Sequence, residues 1–184
     1  MKRAAIGVRS HSGWAALVAV AGKPGSVEVL DRRRIVLADT QGPGTNQPYH
    51  FAEKLELRAA QKHLASCAAV SERLALAAFR DVVQTLNGYE LAGAAILLAS
   101  GRPLPSLPDI LGSHALIHTA EGEFFRQAVR QACEGLGICV TGIRESALGE
   151  DSALQQEIAK LGKIVGPPWT QDQKMAALAA MMVL

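Results

Sequence analysis

The stretch AAIGVRSHSGWAALVAV, residues 4–20, decides the fold class. Two apolar runs in it, Ala4–Val8 and Trp14–Val20, have the length of strands, and a polar segment with one glycine separates them. A second glycine-containing turn follows, after which Val27–Leu30 and Arg34–Leu37 supply material for one further, bent strand. Three strands joined by tight turns predict an antiparallel meander at the beginning of the chain.

Beyond the meander, helical and strand patterns alternate. After a loop at Asp39–His50, apolar residues recur with a helical period over 52–86, and a break is expected near Ser71 because about 35 residues is long for a globular helix. The stretch 91–99 holds the continuous apolar run Ala94–Ala99, bounded by Gly93, which is typical of a fully buried parallel strand. The remaining predicted elements are a helix over 109–135 with Thr119 as the N-cap of its main part, a strand over 138–143, and helices over 152–161 and 171–184.

The composition limits the classes of function. Apolar residues make up 49% of the 184 residues and aromatic residues only 4%, so a core of small aliphatic side chains is expected. The formal net charge of +2 is too small to indicate nucleic-acid binding by electrostatics alone. No apolar run reaches the roughly 18 residues of a membrane span, and the start of the chain does not match a signal peptide. We therefore expect no membrane partner.

Cysteine usage points to a reducing compartment. Cys67 and Cys133 fall on apolar helix faces, and Cys139 falls in a strand that is expected to be buried. None of the three has a CxxC or Cys/His spacing, which argues against zinc. An odd number of cysteines at core-like positions suits the cytoplasm, the expected location.

The first strand also resembles a known family. Residues 6–15, Ile-Gly-Val-Arg-Ser-His-Ser-Gly-Trp-Ala, are similar to the first-strand signature of the ribonuclease H-like superfamily, particularly its Holliday-junction resolvase branch. In that signature an apolar-Gly-apolar start is followed by Asp, a short polar turn and Gly. Residues 174–179 resemble the small-residue closing helix of the same family. The resemblance implies a single domain over residues 1–184 with a three-layer α/β fold. Its five-stranded mixed sheet would have three antiparallel strands first and two parallel strands after, with helices on both faces.

The departures from the family pattern bear on activity. Members that cut nucleic acid hold two magnesium ions with carboxylates from the first strand, the end of the fourth strand and the last helix. Here the first-strand position is Arg9, the fourth strand ends in Ala99-Ser100, and the last helix offers Asp172. An Asp172 that faces Arg9 and Lys174 would be neutralised by ion pairing, whereas two magnesium ions need several anionic oxygens. The resemblance with these departures predicts no two-metal nuclease, no bound metal and no cofactor.

A dense group of polar residues lies at 118–126. His118 stands three residues before Glu121, and Glu123 stands three before Arg126, so helical spacing predicts two separate pairs. One interpretation is helix capping with acids in a first turn, plus a surface ion pair. The alternative makes His118 and Glu121 an acid–base pair or a partial metal site in a cleft.

The family topology would bring the first turn and the loop before the long helix towards this group. A Ser/His/acid set could be written from Ser12, His118 and Glu121, although no GxSxG elbow supports it. The candidate catalytic residues are His118, Glu121 and His11, and the candidate binding residues are Arg9, Ser12, His50, Glu123 and Arg126.

Three functions remain open at this point. The leading hypothesis is a non-catalytic ribonuclease H-like protein that binds or scaffolds a partner, with a homodimer or a protein partner expected. The second is an enzyme of unassigned type, such as a hydrolase, with a His/Glu cleft. The third is nucleic-acid binding without cleavage through Arg9, Lys174 and the run 32–34, against which the low net charge and the lack of an aromatic stacking platform weigh.

Overall fold

A five-stranded mixed sheet forms the centre of the protein. The computed structural model describes residues 1–23, 25–99, 103–149 and 152–184. The strand order is β3-β2-β1-β4-β5. Strands β1 to β3 are antiparallel, and β4 and β5 join in parallel to β1, which confirms the predicted sheet. The strands are β1 (Arg3–His11), β2 (Trp14–Lys23), β3 (Ser26–Val36), β4 (Glu90–Leu98) and β5 (Val140–Arg144).

The described residues form six α-helices, which lie on both sides of the sheet. They are α1 (Pro48–Ala52), α2 (Leu57–Thr85), α3 (Leu107–Leu111), α4 (His114–Gly135), α5 (Ser152–Val165) and α6 (Gln171–Met181), with a short 3₁₀ helix at Glu145–Gly149. Within the described residues, no helix combines the length and the apolar character needed to cross a membrane.

The first hairpin is tighter than the sequence predicted. The polar residues 9–11 continue β1 and pair with β2 as far as His11 opposite Trp14, so only Ser12 and Gly13 form the turn. Gly13 has a φ of +78°, a conformation that glycine adopts without strain. Backbone pairing to β2 keeps these polar residues in the strand, and the tight turn places His11 at the very end of β1.

The third strand has the expected bend. Ala19 pairs with Asp31 and Val20 pairs with Val29, so Leu30 is an extra residue on β3. An extra residue of this kind bends a strand and increases its local twist. The two apolar pieces of the sequence therefore belong to one strand.

Two predicted helices are each divided in two, at positions that the sequence analysis did not indicate. The first predicted helix breaks between α1 and α2, at 53–56, and Ser71 lies buried inside the continuous helix α2. The second divides at Gly112-Ser113, so Ser113 and not Thr119 precedes α4. The Thr119 hydroxyl instead donates to the Ala115 carbonyl within the helix. Glu121 consequently lies beyond the first turn of α4.

The core has two layers, one on each face of the sheet. Ile6 and Val8 of β1 pack with Phe79 of α2 and Phe125 of α4. On the other face, Ala5 packs with the small residues of α6 and with α5. A Cβ atom at Gly7 would lie 1.8 Å from the Ala176 carbonyl oxygen. The glycine and the small residues of α6 therefore let this helix lie directly on β1.

The cysteines follow the sequence prediction in part. Cys67 and Cys133 are buried on α2 and α4. Cys139 is exposed and precedes β5, so its predicted place in a buried strand is wrong. The strand β5 lies at the edge of the sheet and is partly exposed, whereas the interior strand β4 is mostly buried.

Candidate functional site: an arginine centre and a histidine cluster

Two polar groups stand out, one on each face of the sheet. We call Arg9, His11, Glu145 and Asp172 the arginine centre. It lies where the carboxyl end of β1 meets the first turn of α6. We call His50, His114 and His118 the histidine cluster. It joins α1 to the first turns of α4, and α4 packs on the opposite face of the sheet from α6.

The Arg9 guanidinium bridges two carboxylates. Its Nε and Nη2 donate to the two oxygens of Glu145, each at 3.0 Å, and its Nη1 donates to Asp172 Oδ1 at 2.7 Å. The planar fork of arginine suits this two-point contact. The hydrogen bonds to Glu145 raise the pKa of Arg9 above its usual value, so the guanidinium is charged at every ordinary pH. One cation therefore holds three elements of the fold together.

Local structure explains why these three residues meet. Side chains alternate along β1, so Arg9 projects to the same face as Gly7, the face that α6 covers. Thr170 forms a capping box with Gln173 and begins α6, which places Asp172 in its first turn. Glu145 comes from the 3₁₀ helix that directly follows β5. The ion pair between Arg9 and Asp172 is expected from the sequence, whereas the contact of Arg9 with Glu145 is not.

His11 belongs to the arginine centre. Its Nε2 lies 2.8 Å from Asp172 Oδ1, and its ring stacks on Trp14 at 4.4 Å between centroids. The Arg34 guanidinium covers the same indole at 4.0 Å. Ser12 is exposed in the adjoining turn. His11 is thus engaged on the face away from α4.

The basic run at 32–34 has partners within the chain. Arg32 donates to three carbonyl oxygens at and after the end of α5. Arg33 pairs with Asp31, and Arg34 stacks on Trp14. These contacts use the basic run for internal packing and capping.

The histidine cluster brings three imidazoles together. His114 and His118 lie one turn apart on α4, with their Nε2 atoms 3.0 Å from each other. The His50 ring from α1 lies 4.7 Å from that of His118 and 5.7 Å from that of His114, measured between centroids. One ring nitrogen of each residue lies within 4.8 Å of those of the other two. His114 and His118 are exposed and His50 is half-buried, so the cluster opens to solvent.

A buried carboxylate supports this cluster from inside. Glu121 is only 3% exposed, and its Oε2 accepts from the backbone nitrogens of Tyr49 and His50 at 3.1 and 3.3 Å. The same oxygen lies 2.9 Å from His50 Nδ1. Burial raises the pKa of Glu121, although the contacts with His50 oppose this change. The other oxygen, Oε1, is buried and has no hydrogen-bond partner within the described part of the chain.

The pairs differ from those that helical spacing predicted. Glu123 accepts from Arg126 Nε at 2.9 Å, as expected. Glu121 contacts His50 and His118 contacts His114, so the expected pair of His118 and Glu121 does not form. Glu121 faces the interior and is 3% exposed, whereas His118 is exposed, so the two side chains lie in different environments despite their helical spacing. The capping interpretation fails as well, since neither acid lies in the first turn of α4.

The candidate catalytic residues are therefore separated. His118 and Glu121 lie on α4 near His50, while His11 contacts α6 on the other face of the sheet. His114, which was not among the candidate residues from the sequence, is exposed and takes part in the cluster. Its spacing of four residues from His118 is the one sequence signal that could have revealed the cluster.

Comparison with known proteins identifies the fold. No family model matches the sequence, and no curated protein matches it. Among solved structures, T. thermophilus RuvC in complex with a Holliday junction substrate is similar, with a TM-score of 0.54 and 12% identity over 97% of this chain and 90% of that chain. A second Thermus thermophilus RuvC structure gives a TM-score of 0.53 and 12% identity over 97% and 91%. A likeness at this identity is one of fold, and with the observed sheet topology it shows that this chain has the ribonuclease H-like fold.

Proposed function

We propose that residues 1–184 form a single, non-catalytic ribonuclease H-like domain that binds a protein partner or a second copy of itself. The observation that supports this proposal is the Arg9 guanidinium between Glu145 and Asp172. In a nuclease of this fold the corresponding region would hold divalent cations. Here the positive charge beside the two carboxylates belongs to a side chain of the protein itself, that of Arg9.

The residues of the arginine centre do not fit a pair of magnesium ions. Both Glu145 oxygens and Asp172 Oδ1 already accept hydrogen bonds from Arg9. Magnesium needs near-octahedral oxygen ligation, and two unit charges 4 Å apart interact by about 4 kcal/mol at an effective dielectric constant near 20. A fixed guanidinium at this distance would repel a divalent ion. Of the Ala99-Ser100 pair that the sequence places at the end of the fourth strand, Ser100 lies outside the described residues.

Nucleic-acid binding without cleavage has less support. Arg9 and the run 32–34 are engaged within the chain, and the net charge is only +2. The enzyme hypothesis built on His118, Glu121 and His11 loses support because His11 lies on the other face of the sheet. The binding hypothesis agrees best with the internal contacts of the arginines and with the separation of His11 from His118 and Glu121.

Incubation with nucleic acid tests the proposal. The purified protein is incubated with four-way DNA junctions and RNA–DNA hybrids in Mg²⁺ or Mn²⁺, and a gel at low salt follows binding. We expect neither strand cleavage nor a retarded band. Light scattering measures association of the chain with a second copy of itself, and partner capture measures association with another protein. Metal-dependent cleavage that disappears in Asp172→Asn or Glu145→Gln would overturn the proposal.

A further inference from the structure

We propose that His50, His114 and His118 bind one late first-row transition-metal ion, with Zn²⁺ as the expected occupant, and that Glu121 positions His50 for it. This inference does not depend on the proposed function, because the cluster lies on the other face of the sheet from the arginine centre. Imidazole nitrogens suit zinc, copper and nickel, whereas magnesium and calcium prefer oxygen.

The spacing of the three donors supports a shared ion. Zinc–nitrogen bonds of about 2.0–2.1 Å in a tetrahedron place neighbouring ligand nitrogens about 3.3 Å apart. The Nε2 atoms of His114 and His118 are 3.0 Å apart, and the nitrogens of all three residues lie within 4.8 Å. Small rotations of two exposed rings and one half-buried ring would complete the geometry.

The environment of His50 supports the same inference independently. Its Nδ1 lies 2.9 Å from the buried Glu121 oxygen, which fixes the tautomer with hydrogen on Nδ1 and the lone pair on Nε2. A carboxylate that holds a histidine in this way is the usual outer partner of a metal-bound imidazole. Two backbone N–H groups hold Glu121 in turn, so His50 is oriented before any ion arrives.

A purely structural role explains less of the arrangement. Two neutral imidazoles can share one hydrogen bond, which accounts for the contact of His114 with His118. That hydrogen bond does not explain why the buried Glu121 carboxylate orients a third imidazole, that of His50. It also does not explain why Glu121 Oε1 has no hydrogen-bond partner within the described part of the chain. A divalent cation beyond His50 would offset the burial of this negative charge.

The site leaves one coordination position open. Three protein nitrogens are one fewer than a closed structural zinc site uses, and the exposed edges of His114 and His118 give water access to the fourth position. We therefore assign the fourth ligand to water.

Metal titration of the full chain tests the inference. The protein is stripped with a chelator and titrated with Zn²⁺ alone in competition with a chromogenic chelator. We expect one ion per chain, about 10–100-fold weaker binding in Glu121→Gln, and a still larger loss in His118→Ala. His11→Ala is the matched control, since it removes a histidine outside the cluster, and its affinity should equal that of the unaltered chain.

Cobalt substitution supplies a second readout. Co²⁺ bound to three imidazoles and water should give visible d–d absorption without the intense thiolate charge-transfer band that Cys67 or Cys139 would add. His118 is exposed, so in the absence of metal His118→Ala should have the same melting temperature as the unaltered chain. The inference fails if no saturable binding occurs, if His118→Ala binds Zn²⁺ as tightly as the unaltered chain, or if the thiolate band appears. Cleavage of nucleic acid, which would overturn the proposed function, leaves this result untouched.

Discussion

The arginine centre and the histidine cluster are assembled alike and differ in charge. Each joins side chains from distant parts of the chain, 163 residues apart for Arg9 and Asp172 and 71 for His50 and Glu121. In the arginine centre a fixed cation meets two carboxylates, so one of the two negative charges is offset within the chain. In the histidine cluster three imidazoles lie together, and one buried carboxylate contacts His50. Clustering alone therefore does not indicate a ligand site, because the arginine centre already contains its own counter-ion.

The two centres also rest on different supports. The arginine centre depends on α6 lying directly against Gly7, where there is no room for a side chain. The histidine cluster depends on Glu121 holding α1 against α4 through backbone and ring contacts. Changes on one face should therefore leave the other centre intact.

The largest effect is expected from Gly7→Ala. The new Cβ would lie 1.8 Å from the Ala176 carbonyl oxygen and 2.8 Å from the Ala180 nitrogen, so α6 must move away from β1. We expect a loss of about 3 kcal/mol or more in the free energy of unfolding, measured by urea denaturation. Gly135→Ala is the control, because its nearest neighbour is a Leu76 methyl group at 4.0 Å. A loss below about 1 kcal/mol in Gly7→Ala would show that α6 is not held as closely as described.

Zinc should have the next largest effect, and it should act through the histidine cluster alone. At a free Zn²⁺ concentration 100 times the dissociation constant, linkage predicts a gain of about 2.7 kcal/mol in the free energy of unfolding. Arg9→Ala should keep this gain, and His114→Ala should lose it, as thermal melts with and without Zn²⁺ would report. Loss of the gain in Arg9→Ala would mean that the two centres are coupled.

Arg9→Ala should destabilise the protein by a smaller amount. It leaves Glu145 and Asp172 without their shared partner, and the Arg9 side chain is 23% exposed, between a surface and a buried ion pair. We expect a loss of about 2 kcal/mol by denaturant unfolding at neutral pH. Lys2→Ala removes an exposed pair with Glu28 and should leave the free energy of unfolding nearly unchanged. Equal losses in the two variants would contradict the structural importance of the arginine centre.

The fold could be predicted from the sequence largely because its decisive signals are local. The apolar run over 94–99 and the turn after β1 fix strands through patterns of fewer than ten residues. The ends of helices were predicted less well, since the break at 53–56 has no proline or glycine to mark it. Ser71 resembles an interruption, yet its small side chain fits inside the packed helix α2.

Apart from the pair of Arg9 and Asp172, which the family resemblance brought together, the candidate site was predicted only where partners are close in sequence. The pair of Glu123 and Arg126 follows from helical spacing and is observed. The contact of Glu121 with His50 joins two helices and leaves no local pattern in the chain. Glu145 was missed for the same reason, because nothing in its own segment identifies Arg9 as its partner.

The smallest expected effect is on the thiols, and it tests whether any cysteine takes part in the histidine cluster. Cys139 is exposed, whereas burial raises the pKa of Cys133 to about 12 and also raises that of Cys67. A maleimide reagent at pH 7.5 should therefore label one thiol per chain quickly, and Cys139→Ser should abolish that fast phase. Zn²⁺ bound by imidazoles alone should change the labelling rate by less than about twofold. Strong protection by Zn²⁺ would instead place a thiolate among the ligands, because a coordinated sulfur cannot attack the reagent freely.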